Sequence, residues 1–441
     1  MKTMKKTIFY NALLACLFMA SSCGDDFLSV IPEDQLITDT YYKTRAQFVL
    51  AVNGAYNPLL NLYSGSGSPM YLFNELRSDN TTYQFNTDQS QNSRKFIDMF
   101  IEEPTNATDG FYTTLYQSIA RCNVILDRID ASDMLAADKT QMKGEVSFLR
   151  AFYYYQAVKQ WGPVPLVLTE IKSKAEALAA AEKLASVATV YAQIIADATT
   201  AASSLPPTYA AADRGRITKY AAKMLLADVY LTQGNHSAAL GQLFNATPAE
   251  GVISSGVFNL VTTPAAPTFP FPAGSPKLAS TAYAGLWGTT REHNIESIWE
   301  IQFFQTDVFT GNNNNLNSTL HDSFGINAYT STTNPHPAGN TAIPQPQNNQ
   351  LGWGIVTPDM MSSFEPGDQR RNMIVESYTT GGSTITNTPY TTKFYSAHTV
   401  GLRYGNNFPV YRYAEALLIA AECLAQPGVT APVGANTALF Y

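Results

Sequence analysis

The chain has 441 residues and a formal net charge of −7, with 28 Lys and Arg against 35 Asp and Glu. That balance argues against a nucleic-acid partner and against a basic membrane-binding surface. Charged residues are sparse at 14% and aromatic residues plentiful at 12%, and the length is ample for a large buried core.

The first element is at the N-terminus. Lys2, Lys5 and Lys6 precede an apolar stretch through Ile8, Phe9, Leu13, Leu14, Leu17, Phe18 and Met19. Ala20, Ser21 and Ser22 follow, then Cys23, then the acidic Gly24-Asp25-Asp26. This is the pattern of a secretory signal peptide with a cysteine at the cleavage point. The apolar run is too short for a membrane span, which needs roughly 20 residues. Residues 1–22 therefore read as a lipoprotein signal peptide, and Cys23 as the lipidation site. Cys16 is a rival, because Leu13-Leu14-Ala15-Cys16 also resembles a lipobox, but the apolar run continues past it. Two or more acyl chains on Cys23 would hold the protein firmly to a membrane.

Residues 23–43 read as an extended, lipidated arm. Helical periodicity then marks seven segments: 44–62, 111–129, 137–160, 187–204, 218–232, 237–244 and 411–425. Thr218 is a candidate N-cap and Gly234 a candidate stop for the fifth. Ala221, Ala222, Ala227, Ala414 and Ala421 lie on apolar faces, where small residues let helix axes approach closely. No strict 34-residue repeat is visible, so periodicity leaves open a tetratricopeptide-like array and an irregular bundle. The stretch 245–410 is rich in Asn, Thr, Gly and Pro and reads as loops, with a single strand expected over 295–304. The expected division is thus a helical scaffold at 44–244, a loop-rich region at 245–410, and a last scaffold helix within 411–441. Cys122 and Cys423 fall in apolar helical segments and read as buried thiols in preference to a disulfide. The five His are scattered without metal-ligand spacing, so no metal or cofactor is expected.

Four segments resemble the SusD/RagB family of outer-membrane nutrient-binding lipoproteins. Glu145 to Leu166 reads E-V-S-F-L-R-A-F-Y-Y-Y-Q-A-V-K-Q-W-G-P-V-P-L and is similar to that family's helix ending in a W/Y-G-x-V-P-L turn. Gly162 can close this helix, and Pro163 and Pro165 forbid its continuation. Gly215-Arg216-Ile217-Thr218 to Leu231 is similar to its G-R-x-T-K helix, and Gly352-Trp353-Gly354 through Phe364 to Arg371 to its G-W-G segment. Arg412-Tyr413-Ala414-Glu415 to Cys423 is similar to its R-Y-A-E helix, and the arm from Cys23 to Pro32 also matches. The resemblance implies a mainly α fold: a tetratricopeptide-like helical scaffold with a loop-rich, irregular ligand-binding region packed on it. It further implies a lipid-anchored protein on the outer membrane, exposed at the cell surface, that lids a SusC-like TonB-dependent transporter barrel. Asp25 and Asp26 resemble the signal that sends such lipoproteins to the surface. The family's further C-terminal helix has no counterpart before Tyr441, so the chain reads as a short or truncated member.

No catalytic constellation is present. Ser66 and Ser68 lack the strand-turn-helix setting of a nucleophile elbow, and Glu102-Glu103 are neighbours that do not face each other. Binding is the expected function. Aromatic rings stack on the C–H faces of sugars, while Asn, Asp and Arg bond their hydroxyls. Two loops combine both residue kinds: Arg77, Asp79, Asn80, Tyr83 and Asn86 in one, and Tyr283, Trp287 and Tyr329 in the other. The family's sugar site draws on these two regions. Trp161, Trp353 and Tyr153 to Tyr155 lie in fold motifs and read as packing residues. An oligosaccharide is the expected ligand, and a peptide- or protein-binding scaffold is the alternative.

Overall fold

A computed structural model of the chain describes residues 41–64, 68–83, 92–101, 106–245, 247–264, 281–287, 291–303, 355–375, 378–380, 383–385, 389–391, 393 and 405–432. Cys23, Asn86, Tyr329 and Trp353 lie outside the described residues.

The molecule is mainly helical. Helix α1 (Arg45–Tyr56) starts at a capping box: the Thr44 side chain accepts from the Gln47 amide, and the Gln47 side chain accepts from the Thr44 amide. The expected single helix over 44–62 is two, because Pro58 opens a new helix, α2 (Pro58–Tyr63). Proline has no N–H to donate and is at home in a first helical turn. Helix α3 (Asn92–Asp98) is short and was not apparent from periodicity. Helices α4 (Asn106–Arg128) and α5 (Ala136–Trp161) follow. Helix α6 (Lys174–Ala181), also unexpected, buries no residue. It rests on alanine propensity and a Ser173 cap instead of an apolar face. Helices α7 (Val187–Ser204), α8 (Lys219–Thr232) and α9 (His236–Leu243) complete the series, with Thr218 capping α8 as expected.

Each long helix packs on its predecessor: α4 on α5, α5 on α7, α7 on α8, α8 on α9. The last helix, α11 (Tyr413–Leu424), closes on α8 and α9. This serial packing is the tetratricopeptide-like arrangement.

Helix α5 is the axis of the core. From Gly144 to Val158 every residue is buried, the mark of a helix enclosed on all sides. Tyr153, Tyr154 and Tyr155 bury their rings and direct their hydroxyls to Ala55 O, Val167 O and Asp228 Oδ1. Cys122 and Cys423 are free buried thiols, and burial pushes Cys122 up to about 12 and Cys423 to about 11.

One buried and one part-buried ion pair cross the scaffold. Arg150 donates from Nε and Nη2 to the two Asp197 carboxylate oxygens, both at 2.8 Å. Its Nη1 reaches Asn123 Oδ1 and Leu168 O. Glu145 accepts from the Tyr56 hydroxyl at 2.8 Å and from Arg216 Nη1 at 3.0 Å, joining α1, α5 and the 213–216 turn.

Strands are short and paired in twos. The strand expected over 295–304 is β4 (Ser297–Ile301), and its antiparallel partner is β10 (Phe408–Arg412). Tyr411 and Arg412, expected in the last helix, are therefore strand residues. The Tyr413 amide donates to Glu296 O, which ends the strand pair and starts α11. The other ladders are β1 (Thr81–Thr82) with β5 (Ile355–Val356), and β2 (Val164–Pro165) with β3 (Leu184–Ala185). Two more follow: β6 (Ile374–Val375) with β9 (Tyr390–Thr391), and β7 (Tyr378–Thr380) with β8 (Ser383–Ile385). The expectation of a single strand in the loop-rich region is corrected accordingly: runs of two or three residues are too short to show alternation. Among the described residues no helix is long and apolar enough to cross a membrane.

Candidate functional site

A cleft of about 690 Å³ opens where the helical scaffold meets the short strands. Its floor is helical: Phe152, Gln156 and Lys159 come from α5, Asp228 from α8, and Glu415 from α11. One wall is the π-helical turn Tyr71–Glu75, with Asn80 and Thr81. A second wall holds Tyr283 and Trp287 together with Pro409 to Arg412 of β10. A third holds Met360 and Phe364, from the helix α10 (Pro358–Ser363) and just beyond it, then Arg370, Ile374, Thr391 and Lys393.

Local chemistry fixes the aromatic wall. A 3-10 turn at Ala284–Leu286 separates Tyr283 from Trp287 and sets their rings edge to face, with centroids 5.9 Å apart. The Ala284 amide donates to Thr281 Oγ1, and the Tyr283 amide to Gln369 Oε1. Both rings are part-exposed toward the cleft. Lys393 Nζ lies 5.6 Å from the Trp287 centroid and 5.8 Å from that of Tyr283, and Arg412 Cζ lies 5.6 Å from Trp287. Arg412 is anchored in turn by Glu296 at 2.6 Å.

The floor is a cluster of ionisable groups. Asp228 accepts the Tyr155 hydroxyl at 2.9 Å, and the Tyr411 hydroxyl points at its other oxygen from 3.5 Å. Burial raises the Asp228 carboxyl above its ordinary range, against the pull of Lys159. Burial and the nearby Asp228 push Glu415 up to about 7. Lys159, with its ammonium 4.1 Å from the Tyr155 ring centroid, is lowered by the same burial. On the wall, burial raises Glu75, opposed by Lys393. By accessible area Lys159 and Glu75 are exposed, yet protein surrounds both groups, as a concave wall does. Behind Trp287 a small cavity of about 20 Å³ is lined by Arg291, Glu292, Asn406 and Asn407. Glu292 there is pushed up to about 7, by burial first.

Three of the residues expected from sequence, Asn80, Tyr283 and Trp287, meet on this cleft. Arg77 and Asp79 are not among its lining residues. Arg77 donates to Gln160 and lies over the Phe100 ring at 5.0 Å, and the Asp79 carbonyl accepts from the Thr357 hydroxyl. Tyr83 does not line the cleft. It is buried with Tyr71, Leu72, Leu76 and Ile97 in a small core of its own. Lys159, Asp228, Lys393, Arg412 and Glu415 escaped the sequence reading, although Arg412 and Glu415 belong to the R-Y-A-E segment and Phe364 and Arg370 to the G-W-G segment. Those segments read as fold motifs, and nothing in their local pattern says that one side faces a cavity.

Comparison with known proteins gives a consistent picture. A family model described as starch-binding associating with outer membrane matches residues 26–231, and the SusD family model matches residues 365–439. SusD-like protein P25 of Formosa agariphila is 24% identical, across 92% of this chain and 76% of the relative. A SusD-like protein of Bacteroides ovatus is 29% identical over 52% of this chain and 40% of its own. Among solved structures, a laminarin-binding SusD-like protein superposes with a TM-score of 0.68 at 21% identity, covering 88% of this chain and 82% of that one. Surface glycan-binding protein A of Bacteroides thetaiotaomicron, in complex with laminarihexaose, gives 0.66 at 20% identity over 87% and 79%. At these identities the structural likeness speaks for the fold.

Proposed function

The chain belongs to the SusD/RagB family, and from that premise we propose that it captures oligosaccharides in the cleft at the scaffold's edge and delivers them to a TonB-dependent transporter at the outer membrane. The observation that supports capture is the Tyr283–Trp287 pair, part-exposed on the wall of a cleft of about 690 Å³. Sugars present C–H faces to such rings and hydroxyls to polar groups, which Asn74 and Asn80 offer on the wall and Gln156 on the floor. The volume lies within the range of small-molecule sites. Relatives with this fold are named as glycan-binding proteins. Delivery to a SusC-like barrel, anchoring through acylated Cys23 and exposure at the cell surface rest on the family resemblance and the signal-like N-terminus.

A binding screen of the purified chain against a polysaccharide panel, with oligopeptides in parallel, tests the reading. Retention by at least one polysaccharide is expected. Binding to oligopeptides alone would replace it with the peptide-binding alternative. Trp287→Ala is expected to weaken glycan affinity by about tenfold or more, the scale of losing one well-placed aromatic platform. Unchanged affinity by calorimetry would move the site elsewhere.

A further inference from the structure

We propose that the glycan taken by this cleft is anionic, with a carboxylate or sulfate group held by Lys393 beside the Trp287 ring. The inference rests on the glycan-capture reading above and names its substrate class.

The argument begins with where positive charge lies. The chain is acidic overall, at −7, yet Lys159, Arg370, Lys393 and Arg412 all line this one cleft. Arg370 and Arg412 are held by carboxylates, Asp368 and Glu296. The two lysines are not: among the described residues neither makes an ion pair, and each faces aromatic rings instead. Lys393 is 5.6 Å from the centroid of the ring on which a sugar would stack. Because this ammonium lies over the Trp287 ring, a sugar that reaches the ring meets it directly.

Three acids line the same cleft, Glu75, Asp228 and Glu415. Asp228 is engaged by tyrosine hydroxyls, and burial raises all three, Glu415 to about 7. Glu415, pushed to about 7, offsets the lysines only in part near neutral pH. Covering Lys393 with a neutral sugar removes water from an ammonium and gives no counter-charge, which is unfavourable. An acidic substituent supplies that partner through a charge-assisted hydrogen bond, stronger than a neutral one.

Calorimetry on the purified chain tests this with length-matched uronate oligomers, sulfated galactan oligomers and neutral gluco-oligosaccharides, at low and high salt. At least one acidic series is expected to bind about tenfold tighter than the neutral series, with a preference that shrinks as salt rises. The two acidic arms distinguish carboxylate from sulfate. Lys393→Met keeps most of the stem and removes the charge, and is expected to collapse the acidic-to-neutral ratio toward one. Lys159→Met serves as a second variant should Lys393→Met fail to fold by circular dichroism, and a reduced ratio is expected there too. Equal affinity for acidic and neutral oligomers, or a folded Lys393→Met chain that keeps the preference, overturns the proposal and leaves glycan capture standing. No binding to any glycan overturns both.

Discussion

Arg150 and Asp197 illustrate what a single residue contributes inside this scaffold. Their paired 2.8 Å hydrogen bonds lie in the core, where Asn123 and the Leu168 carbonyl take up the remaining Arg150 donors. Removing one partner strands the other charge. Asp197→Ala is expected to cost about 3–5 kcal/mol in urea denaturation, whereas Arg150→Met with Asp197→Leu should recover most of that loss. A single-mutant loss under about 1 kcal/mol would refute this account. Glu415 makes the opposite case, a carboxyl raised to about 7 by burial. The folded state holds its proton more tightly than the unfolded chain does. Its contribution to stability is therefore fullest below about pH 4.5 and declines as pH rises toward about 7. Glu415→Gln is expected to melt above the parent near about pH 8 and close to it near about pH 4. A constant difference between the two pH values would show that the carboxyl titrates normally. Trp287 and Tyr283 were legible in the sequence because aromatic residues in a polar loop stand out. Asp228 and Lys159 were not, since each sits in a helix whose pattern announces packing and nothing more.

Two glycines show how elements are stopped and joined. Gly162 ends α5 at φ 68°, and a Cβ there would come no nearer than 4.0 Å to Val187. Gly215 has φ 92°, and a Cβ there would lie 2.4 Å from Gln302 Cγ. The first glycine answers only a backbone demand. The second also lets the 213–216 turn press against the end of β4. Gly162→Ala should cost about 1–3 kcal/mol from the positive-φ backbone alone. Gly215→Ala should cost more, about 2–4 kcal/mol, by adding overpacking to that strain. In thermal melts Gln302→Ala should relieve part of the Gly215→Ala loss and none of the Gly162→Ala loss. Equal behaviour of the two glycines would contradict this division. At this scale the long helices could be read from sequence because α7 and α8 combine an apolar stripe with a Ser or Thr cap. The break at Pro58 and the helix α6 were missed for different reasons: proline can begin a helix as well as end one, and α6 has no buried face to produce a period.

At the scale of the whole molecule, the described structure begins at residue 41, well past Cys23, whose acylation remains a proposal tied to the signal-like N-terminus. Metabolic labelling with a fatty-acid analogue tests it. Label is expected on the parent chain and absent from Cys23→Ala, and label retained in the variant would transfer the assignment to Cys16. The individual helices were legible as apolar stripes, whereas their tetratricopeptide-like order came from the family resemblance, because periodicity left an irregular bundle equally open. The cleft was legible only in part, because its lining converges from stretches as distant in sequence as Tyr63 and Glu415.

The short ladders have one more consequence. Among the described residues no strand belongs to two of them, and the β1–β5 and β6–β9 ladders are joined by the bond from the Val356 amide to Pro389 O. A continuous sheet would pass a slip in register from strand to strand, whereas two-stranded ladders carry a change no further than such single ties. Lengthening a connecting loop is also cheap, about 0.6 kcal/mol for each doubling. Such a chain can vary its walls by substitution and insertion while the helices beneath stay fixed. Selection could then retune what the cleft accepts without rebuilding the fold that supports it.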